Sequence, residues 1–479
     1  MILRNINHDV GYHTQKIVTI FFPLEKIRVD SEDDEPIIVE TIKRNNELIV
    51  SARVYSKTDI RSVAVDEKTD IANAMSLLLY DVLSEITGFY PSWGILYGVR
   101  PARLMHAMVE TVGEAEARTK WLGNKVQPKK IDLAMEVMHS ENKIIALSRE
   151  NSYSLYVSIP FCPSRCSYCS FVSHSIQNAS GLIEPYVDLL CKELAENGEI
   201  ARKLGLRLET IYFGGGTPTT LSAAQLDRLL RVIEDSYDLS CLRECTVEAG
   251  RPDTVTIAKL DTLLNHNVDR ISINPQTFND SVLEKIGRRH SSKQTIEAFE
   301  LARECGFNNI NMDLIAGLNG DSLESFKNSL DKAVELGAES ITVHNLALKS
   351  GAYLVTESEY YDLSLKSMAG DMIDYSYDKL KQGGYNPYYM YRQSKSLGNL
   401  ENTGWCKEGC DCLYNVFMMD ETHTVLGAGA GAVTKLKNQK TGHIERKYNF
   451  KYPYEYLSDF DKIIERKKGV LDFYKKLYN

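Results

Sequence analysis

The feature that most constrains this chain is an alternation running from residue 152 to residue 346. Strand-like runs at 153–159, 208–213, 244–249, 269–274, 309–315 and 340–346 are separated by amphipathic helical stretches. A strand followed by a crossover helix returns to the same end of its sheet, so successive strands pair in parallel. Six such units predict an α/β architecture with a parallel sheet, rolled or open. Helix boundaries carry their own signals. Ser222 with Gln225 and Ser291 with Gln294 read as capping boxes. Gly306 and Gly337 read as helix stops, and Glu184-Pro185 reads as a helix start with proline in the first turn.

In such sheets the chemistry gathers at the C-terminal ends of the strands. Here the first strand runs into a loop with three cysteines and the second into "GGGTPT", Gly214 to Thr219. The third ends at Glu248, the fourth runs into "NPQTF" with Gln276, the fifth carries Asp313, and the sixth runs into "HNLALKSG". Glycine, cysteine or polar residues therefore mark the same end of every strand.

The flanks read differently. Residues 1–150 are expected to form a separate α+β unit. Within it, "PIIVETIKRNNELIVSARVYS" reads as two strands around an Asn-rich turn. "DIANAMSLLLYDVLSEITGF" reads as a helix capped by Asp70 and stopped by Gly88. Its Arg100 and Arg103 are candidates to hold a carboxylate, with ordinary surface ion pairs as the alternative. Residues 151–348 hold the alternating units. Residues 349–479 begin with a helix near 357–382 and continue rich in Tyr, Gly and Asn, which suits a substrate-facing cover.

A net charge of −9 and a pI near 5.7 argue against nucleic acid or an anionic membrane as the main partner. No apolar run approaches the ~18 residues a membrane span needs, and the N-terminus lacks the sections of a signal peptide. Of the ten cysteines, half lie singly inside helices and strands. That is how reduced core residues are distributed, so a cytoplasmic, reducing compartment is expected.

The stretch "YVSIPFCPSRCSYCSFVSH" spaces Cys162, Cys166 and Cys169 as Cys-x-x-x-Cys-x-x-Cys. Two thiolates would make a disulfide and four would close a zinc site. Three point to a metal centre with one ligand position open. A zinc site completed by His174, or a set of core thiols, are the alternatives. A second trio, Cys406, Cys410 and Cys412 in "WCKEGCDC", reads as a second metal or redox site or as incidental thiols on a loop.

At this point the sequence resembles a known family. The cysteine loop is similar to that of the radical S-adenosylmethionine (SAM) enzymes, in the branch of oxygen-independent coproporphyrinogen oxidases. With "YGVRPARLMH" and "YRQSKSLGNLENTGW" the chain looks most like the HemZ-type coproporphyrinogen dehydrogenases. The resemblance covers roughly residues 150 to 450. It implies a partial (β/α)6 TIM-like radical SAM barrel, with the N-terminal α+β domain and the C-terminal extension attached. It implies a [4Fe–4S] cluster on Cys162, Cys166 and Cys169, with SAM on the open iron. An electron from the cluster then splits SAM into methionine and a 5′-deoxyadenosyl radical. Tyr156 matches a family residue beside cluster and SAM, Tyr168 an aromatic SAM contact, and Gly215, Gly216 and Thr217 the motif that meets the methionine amino group. Glu248 matches a carboxylate on SAM, with a buried salt bridge as the alternative. Gln276, Arg288, Asp313 and Ala347 match contacts to a second SAM, with a structural ion pair and a core hydrogen bond as alternatives. One or two SAM molecules are thus implied, with an electron donor such as flavodoxin or ferredoxin.

The implied reaction takes hydrogen from the β-carbon of a tetrapyrrole propionate; the substrate radical then loses carbon dioxide and passes one electron to an acceptor, leaving a vinyl group. Two propionates of coproporphyrinogen III would react to give protoporphyrinogen IX. Their carboxylates want arginines, and Arg251, Arg392, Arg100 and Arg103 are the candidates. Two departures stand out. The family's oxidases carry a fourth cysteine where this chain has Phe171, and the related heme chaperones carry a histidine where "CLYNVFMM" has Tyr414. Radical methylation or ring opening of heme, and heme binding and delivery, are the other functions considered.

Overall fold

The computed structural model describes residues 1–169, 174–347 and 363–478. Phe171 and the first turns of the tail helix expected from 357 lie outside these residues.

The chain opens with a five-stranded sheet. Its strands are β1 (Ile2–Ile6), β2 (Arg28–Val29), β3 (Ile37–Arg44), β4 (Glu47–Val54) and β5 (Lys57–Ala64), in the order β2-β1-β3-β4-β5. The Asn-rich turn joins β3 and β4 as an antiparallel hairpin, with Asn45 at φ 46°. Two helices, α1 (Gly11–Phe21) and α2 (Ile71–Thr87), bury one face of this sheet. As expected, Asp70 accepts from the Asn73 N–H at the start of α2, and Gly88 ends it in the left-handed region. This core draws on residues 1 to 95 and stands apart from the main one. Three further helices, α3 (Pro101–Val112), α4 (Glu114–Gly123) and α5 (Pro128–Ile145), instead pack into the main core through Met105, Trp121 and Val137.

That main core belongs to the alternating region. It comprises β6 (Ser152–Ile159), the short pair β7 (Phe161–Cys162) and β8 (His174–Ser175), α6 (Ile176–Lys203), β9 (Arg207–Gly215) and α7 (Ala223–Ser236). It continues with β10 (Glu244–Glu248), α8 (Ile257–Asn265), β11 (Arg270–Ser272), α9 (Asp280–Lys285), α10 (Ser292–Cys305), β12 (Ile310–Ala316), α11 (Leu323–Glu335) and β13 (Ser340–Asn345). The strands β6, β9, β10, β11, β12 and β13 pair in parallel in chain order, each contributing buried Val, Ile or Leu to the core shared with the helices. Both capping boxes form, and Gly306 ends α10 in the left-handed region. The start of α6 differs from expectation. This helix begins at Ile176, with Pro185 inside it. Proline removes the N–H that would meet the Gly181 carbonyl, but both residues are exposed, so that carbonyl is open to solvent and the helix continues.

The tail comprises α12 (Leu363–Gln382), β14 (Asn386–Arg392), β15 (Glu401–Cys406), α13 (Leu413–Asp420), β16 (Thr424–Ala428), β17 (Val433–Lys437), β18 (Ile444–Tyr448), α14 (Pro453–Ser458) and α15 (Phe460–Tyr478). It builds onto both edges of the sheet: β15 and β14 add antiparallel beyond β13, and β16 adds parallel beside β6, followed by β17 and β18. The result has eleven strands, β14-β15-β13-β12-β11-β10-β9-β6-β16-β17-β18, whose end strands do not pair. This is a partial barrel in the TIM-like α/β class.

Tail and N-terminal helices are tied together by buried charge. The Lys130 Nζ and Trp93 Nε1 groups both donate to Glu401, at 2.7 Å each. Arg100, Arg103 and Arg446 converge on Glu421. Although burial opposes ionisation, Arg100 and Arg103 hold the Glu421 carboxyl at about 2. Arg100 and Arg103 are therefore structural ion pairs rather than holders of a substrate carboxylate.

Candidate active site

The cysteine loop lies across the C-terminal ends of the strands and is held from three sides. From the turn after α9, the Ile286 carbonyl accepts from the Ser167 N–H (3.0 Å) and the Gly287 carbonyl from the Ser164 hydroxyl (3.0 Å). From the end of β10, buried Arg251 donates to the Ser164 carbonyl and hydroxyl, at 3.4 and 3.1 Å, and its Nη1 lies 4.0 Å from Cys166 Sγ. From the end of β9, the Gly216 and Thr217 N–H groups donate to the Ile159 and Phe161 carbonyls, at 2.8 Å each. The Thr217 hydroxyl lies 3.5 Å from Cys162 Sγ. Only glycine fits that approach: a Cβ on Gly216 would sit 2.6 Å from the Phe161 carbonyl and 3.0 Å from Cys162 Sγ, and Gly215 holds φ 107°.

Arg288 is the loop's principal cation. It donates to the Asn274 and Gly250 carbonyls (2.8 and 3.2 Å) and to the Tyr168 hydroxyl (3.3 Å). Burial raises the Tyr168 hydroxyl above its ordinary range, while Arg288 pulls it back down.

Below the glycine turn three rings stack inside the barrel. Tyr212 lies 4.6 Å from Tyr414 and 6.4 Å from Tyr156, with the planes within 22°. Tyr212 donates to Glu248 Oε1 at 2.6 Å. Burial raises the Glu248 carboxyl to about 7; the Tyr212 hydrogen bond works the other way, and nearby Asp313 adds to the rise.

A cavity of about 220 Å³ opens beside the loop, lined by Tyr168, Cys169, Gln276, Asp313, His344 and Tyr391 among others. Ala347, bridged to Ser396, stands at its rim. Gln276 sits at φ 67°, a conformation costing a non-glycine residue about 1–3 kcal/mol, and bridges to Leu314 so that its side chain meets the cavity. Asp313 accepts from Asn311 (2.8 Å) and lies 3.6 Å from His344 Nε2. Burial works against its charge, but His344 and Asn311 hold it ionised below the usual range.

The structure thus brings all the expected positions to one end of the barrel: Cys162, Cys166, Cys169, Tyr156, Tyr168, Gly215, Gly216, Thr217, Glu248, Gln276, Arg288, Asp313 and Ala347. Sequence reading missed Tyr212, His344 and Tyr391. Tyr212 faces inward two residues before the glycine turn, a position strand alternation could have flagged. Tyr391 reaches the cavity only because β14 and β15 extend the sheet, which no local pattern announces. Two candidate arginines prove committed elsewhere. Arg251 braces the cysteine loop, and Arg392 donates to the Leu96 carbonyl (2.6 Å) with its guanidinium over the Trp93 ring.

The second trio lies at the opposite end. Cys406 pairs with Ser340, the first residue of β13, and lies 3.4 Å from Asp411; Cys412 precedes α13 and points to Glu244 at 3.4 Å. Burial raises both thiols well above their ordinary range. Among the described residues, no three His, Cys, Asp or Glu side chains converge on one point as a single ion requires. A cubane cluster instead takes each thiolate on a different iron. The first loop fits such a group: three thiolates from one turn, a glycine cradle against Cys162, and the buried Arg288 Nε and Ser167 Oγ without protein partners.

The profile of the radical SAM superfamily matches residues 156–333. The chain is 37% identical to the oxygen-independent coproporphyrinogen-III oxidase-like protein HemZ of Bacillus subtilis (strain 168), over 97% of this chain and 96% of that protein. It is 35% identical to the heme chaperone HemW of the same organism, over 58% of this chain and 70% of that protein. Coproporphyrinogen III oxidase (HemN) from Escherichia coli, described as a radical SAM enzyme, superposes with a TM-score of 0.52 at 22% identity, covering 68% of this chain and 72% of that one. That likeness is one of fold. The chain belongs to the radical SAM superfamily, in its branch of oxygen-independent coproporphyrinogen-III oxidase-like proteins. Membership implies a [4Fe–4S] cluster and SAM. Among the described residues no helix is long and apolar enough to cross a membrane.

Proposed function

We propose that this chain converts two propionates of coproporphyrinogen III to vinyl groups without oxygen, forming protoporphyrinogen IX. The observation that carries this reading is that Tyr168, Cys169, Gln276, Asp313, His344 and Ala347 line one cavity together. In this reading Cys162, Cys166 and Cys169 hold the cluster. Tyr156, Tyr168, Gly215, Gly216, Thr217 and Glu248 surround SAM, and Gln276, Arg288, Asp313 and Ala347 meet a second SAM. When bound, cluster and SAM supply a 5′-deoxyadenosyl radical able to remove hydrogen from an unactivated carbon, given one electron from a flavodoxin- or ferredoxin-type donor.

The chain's own residues set the stage for that chemistry. Arg288 and Arg251 place two cations against the thiolate loop and offset its charge. Tyr212 fixes one Glu248 oxygen and leaves the other to a ligand. The Tyr156–Tyr212–Tyr414 stack fills the barrel beneath and excludes water. At about 220 Å³ the cavity is smaller than the ~300–1,000 Å³ that encloses whole ligands. It therefore encloses only part of a ligand, a propionate arm or the edge of a second SAM, rather than a macrocycle. The Tyr391 hydroxyl is the donor there for the propionate carboxylate.

The HemW relatives favour a second reading, heme binding and delivery. Against it, Tyr414 is buried in the ring stack, where it cannot face a bound heme. The test is anaerobic incubation of cluster-loaded protein with SAM, reductant and coproporphyrinogen III. Vinyl-bearing product with 5′-deoxyadenosine is expected. Heme bound without porphyrinogen turnover, or a methylated or opened tetrapyrrole, would overturn the reading.

A further inference from the structure

Far from this site, the N-terminal sheet ends in an exposed strand. β5 is the last of its five strands, and all its residues but the half-buried Asp59 are exposed; Ile60 is 69% exposed. At the sheet's other edge β2 has only two residues, a short edge that offers little to pair with. β5 is eight residues long and unbroken by proline or bulge.

Its register fixes which backbone groups point outward. Val54 faces Lys57 across a two-residue turn, and the Val65 N–H donates to the Asn46 carbonyl at 2.8 Å. Odd-numbered residues of β5 therefore bond inward to β4. Thr58, Ile60, Ser62 and Ala64 turn their N–H and C=O groups to the open edge.

The side chains select a partner. Lys57, Asp59 and Arg61 alternate in sign on the face toward α2, where Arg61 lies 2.9 Å from Asp59 and 3.9 Å from Glu85. An incoming antiparallel strand must match outward groups to outward groups, so only even shifts of register are open. With a second copy of β5 and Ile60 opposite Ile60, each Asp59 faces the other chain's Arg61, and Thr58 faces Ser62. Slipping the partner by two residues one way sets Asp59 against Asp59; slipping it the other way sets Arg61 against Arg61. Like charges directly opposite are destabilising and unlike ones stabilising. The sequence is thus complementary to its own inverted copy in one well-overlapped register.

We propose that the protein forms a twofold dimer through β5, with Ile60 on the axis and the two N-terminal sheets joined into one of ten strands. The contact lies outside the radical site and does not depend on its chemistry.

Light scattering on the eluting full-length chain tests this, with circular dichroism to verify folding. The wild type is expected at twice its 54.2 kDa mass. Asp59→Arg and Arg61→Asp should each halve that mass at equal concentration, since each sets like charges across the axis. The double variant D59R/R61D should recover the dimer, because the swapped pair is again complementary. A monomeric wild type would overturn the proposal. So would single variants that stay dimeric, or a folded double variant that stays monomeric.

Discussion

The two ends of the barrel interior are built from the same residue types and differ in what those residues have left to offer. Each end has three cysteines and one glutamate of β10. Glu244 and Glu248 lie four residues apart on the same face of that strand, roughly 13 Å along it. At the lower end Glu244 is fully engaged: it accepts from the Leu413 and Tyr414 N–H groups and from Cys412, closing the N-terminus of α13. At the upper end Glu248 meets Tyr212, and buried polar atoms of Arg288 and Ser167 stand without protein partners. Burial and neighbouring carboxylates oppose ionisation of the lower thiols, whereas Cys166 has the Arg251 guanidinium 4.0 Å away and no carboxylate bonded to it. A trio of cysteines becomes a metal site through the charge and donors around it.

Cys166→Ala breaks the comparison most severely. With one thiolate gone, the loop cannot hold a cubane through three of its corners. Iron content and 5′-deoxyadenosine formation should both fall to background, read by iron analysis and anaerobic product assay. Retained activity would remove the basis for distinguishing the two ends.

The asymmetry was only half legible in the sequence. Parallel pairing, both capping boxes and the gathering of Cys162, Gly216, Glu248 and Asp313 at one end follow from local periodicity and spacing. The placement of Cys406 and Cys412 at the other end does not. It depends on β15 pairing antiparallel to β13 and on α13 entering the barrel floor, both long-range events. Pro185 misled for a related reason: a local rule for helix starts was overridden by a helix whose solvent face tolerates the missing hydrogen bond. Arg100, Arg103, Arg251 and Arg392 looked available because a sequence does not show which carboxylates and carbonyls will surround them.

Glu244→Ala strikes the lower end. It uncaps α13 and leaves the fully buried Arg270 guanidinium without the carboxylate that favours it. Leaving the buried donors at the start of α13 unpaired costs about 1–3 kcal/mol, so urea unfolding should shift by that order. Iron bound per folded molecule should not change, since Glu244 stands at the opposite end of β10 from Arg251 and bonds to none of the residues that hold the cysteine loop.

Glu248 supplies a subtler contrast along the same strand. Below about 4.5 its carboxyl is neutral in both folded and unfolded chains. Between there and about 7 the unfolded chain ionises while the folded one resists, so folding stability falls as pH rises through that window and levels off above it. The fall is at most about 3.5 kcal/mol at ~1.4 kcal/mol per unit, and less where cavity water reaches the carboxylate. Comparing wild type with Glu248→Gln isolates this slope from that of Asp269, which burial likewise raises to about 6. Parallel stability curves for the two proteins would show that Glu248 is solvated like an ordinary carboxylate.

The smallest effect belongs to Cys410→Ala, and it sharpens the comparison because it removes the least buried thiol of the lower trio. Cys410 is half-buried in the turn after β15, where its backbone N–H donates to the Lys407 carbonyl at 3.1 Å, a bond alanine keeps. Desolvation and the nearby Glu339 and Asp411 charges raise its thiol, so the protonated form prevails at neutral pH and metal affinity is weak. Substitution should leave iron content unchanged and move stability by no more than about 0.5 kcal/mol. A drop in iron would mean that Cys406, Cys410 and Cys412 rearrange to bind metal, and that the lower end is a second centre rather than a floor.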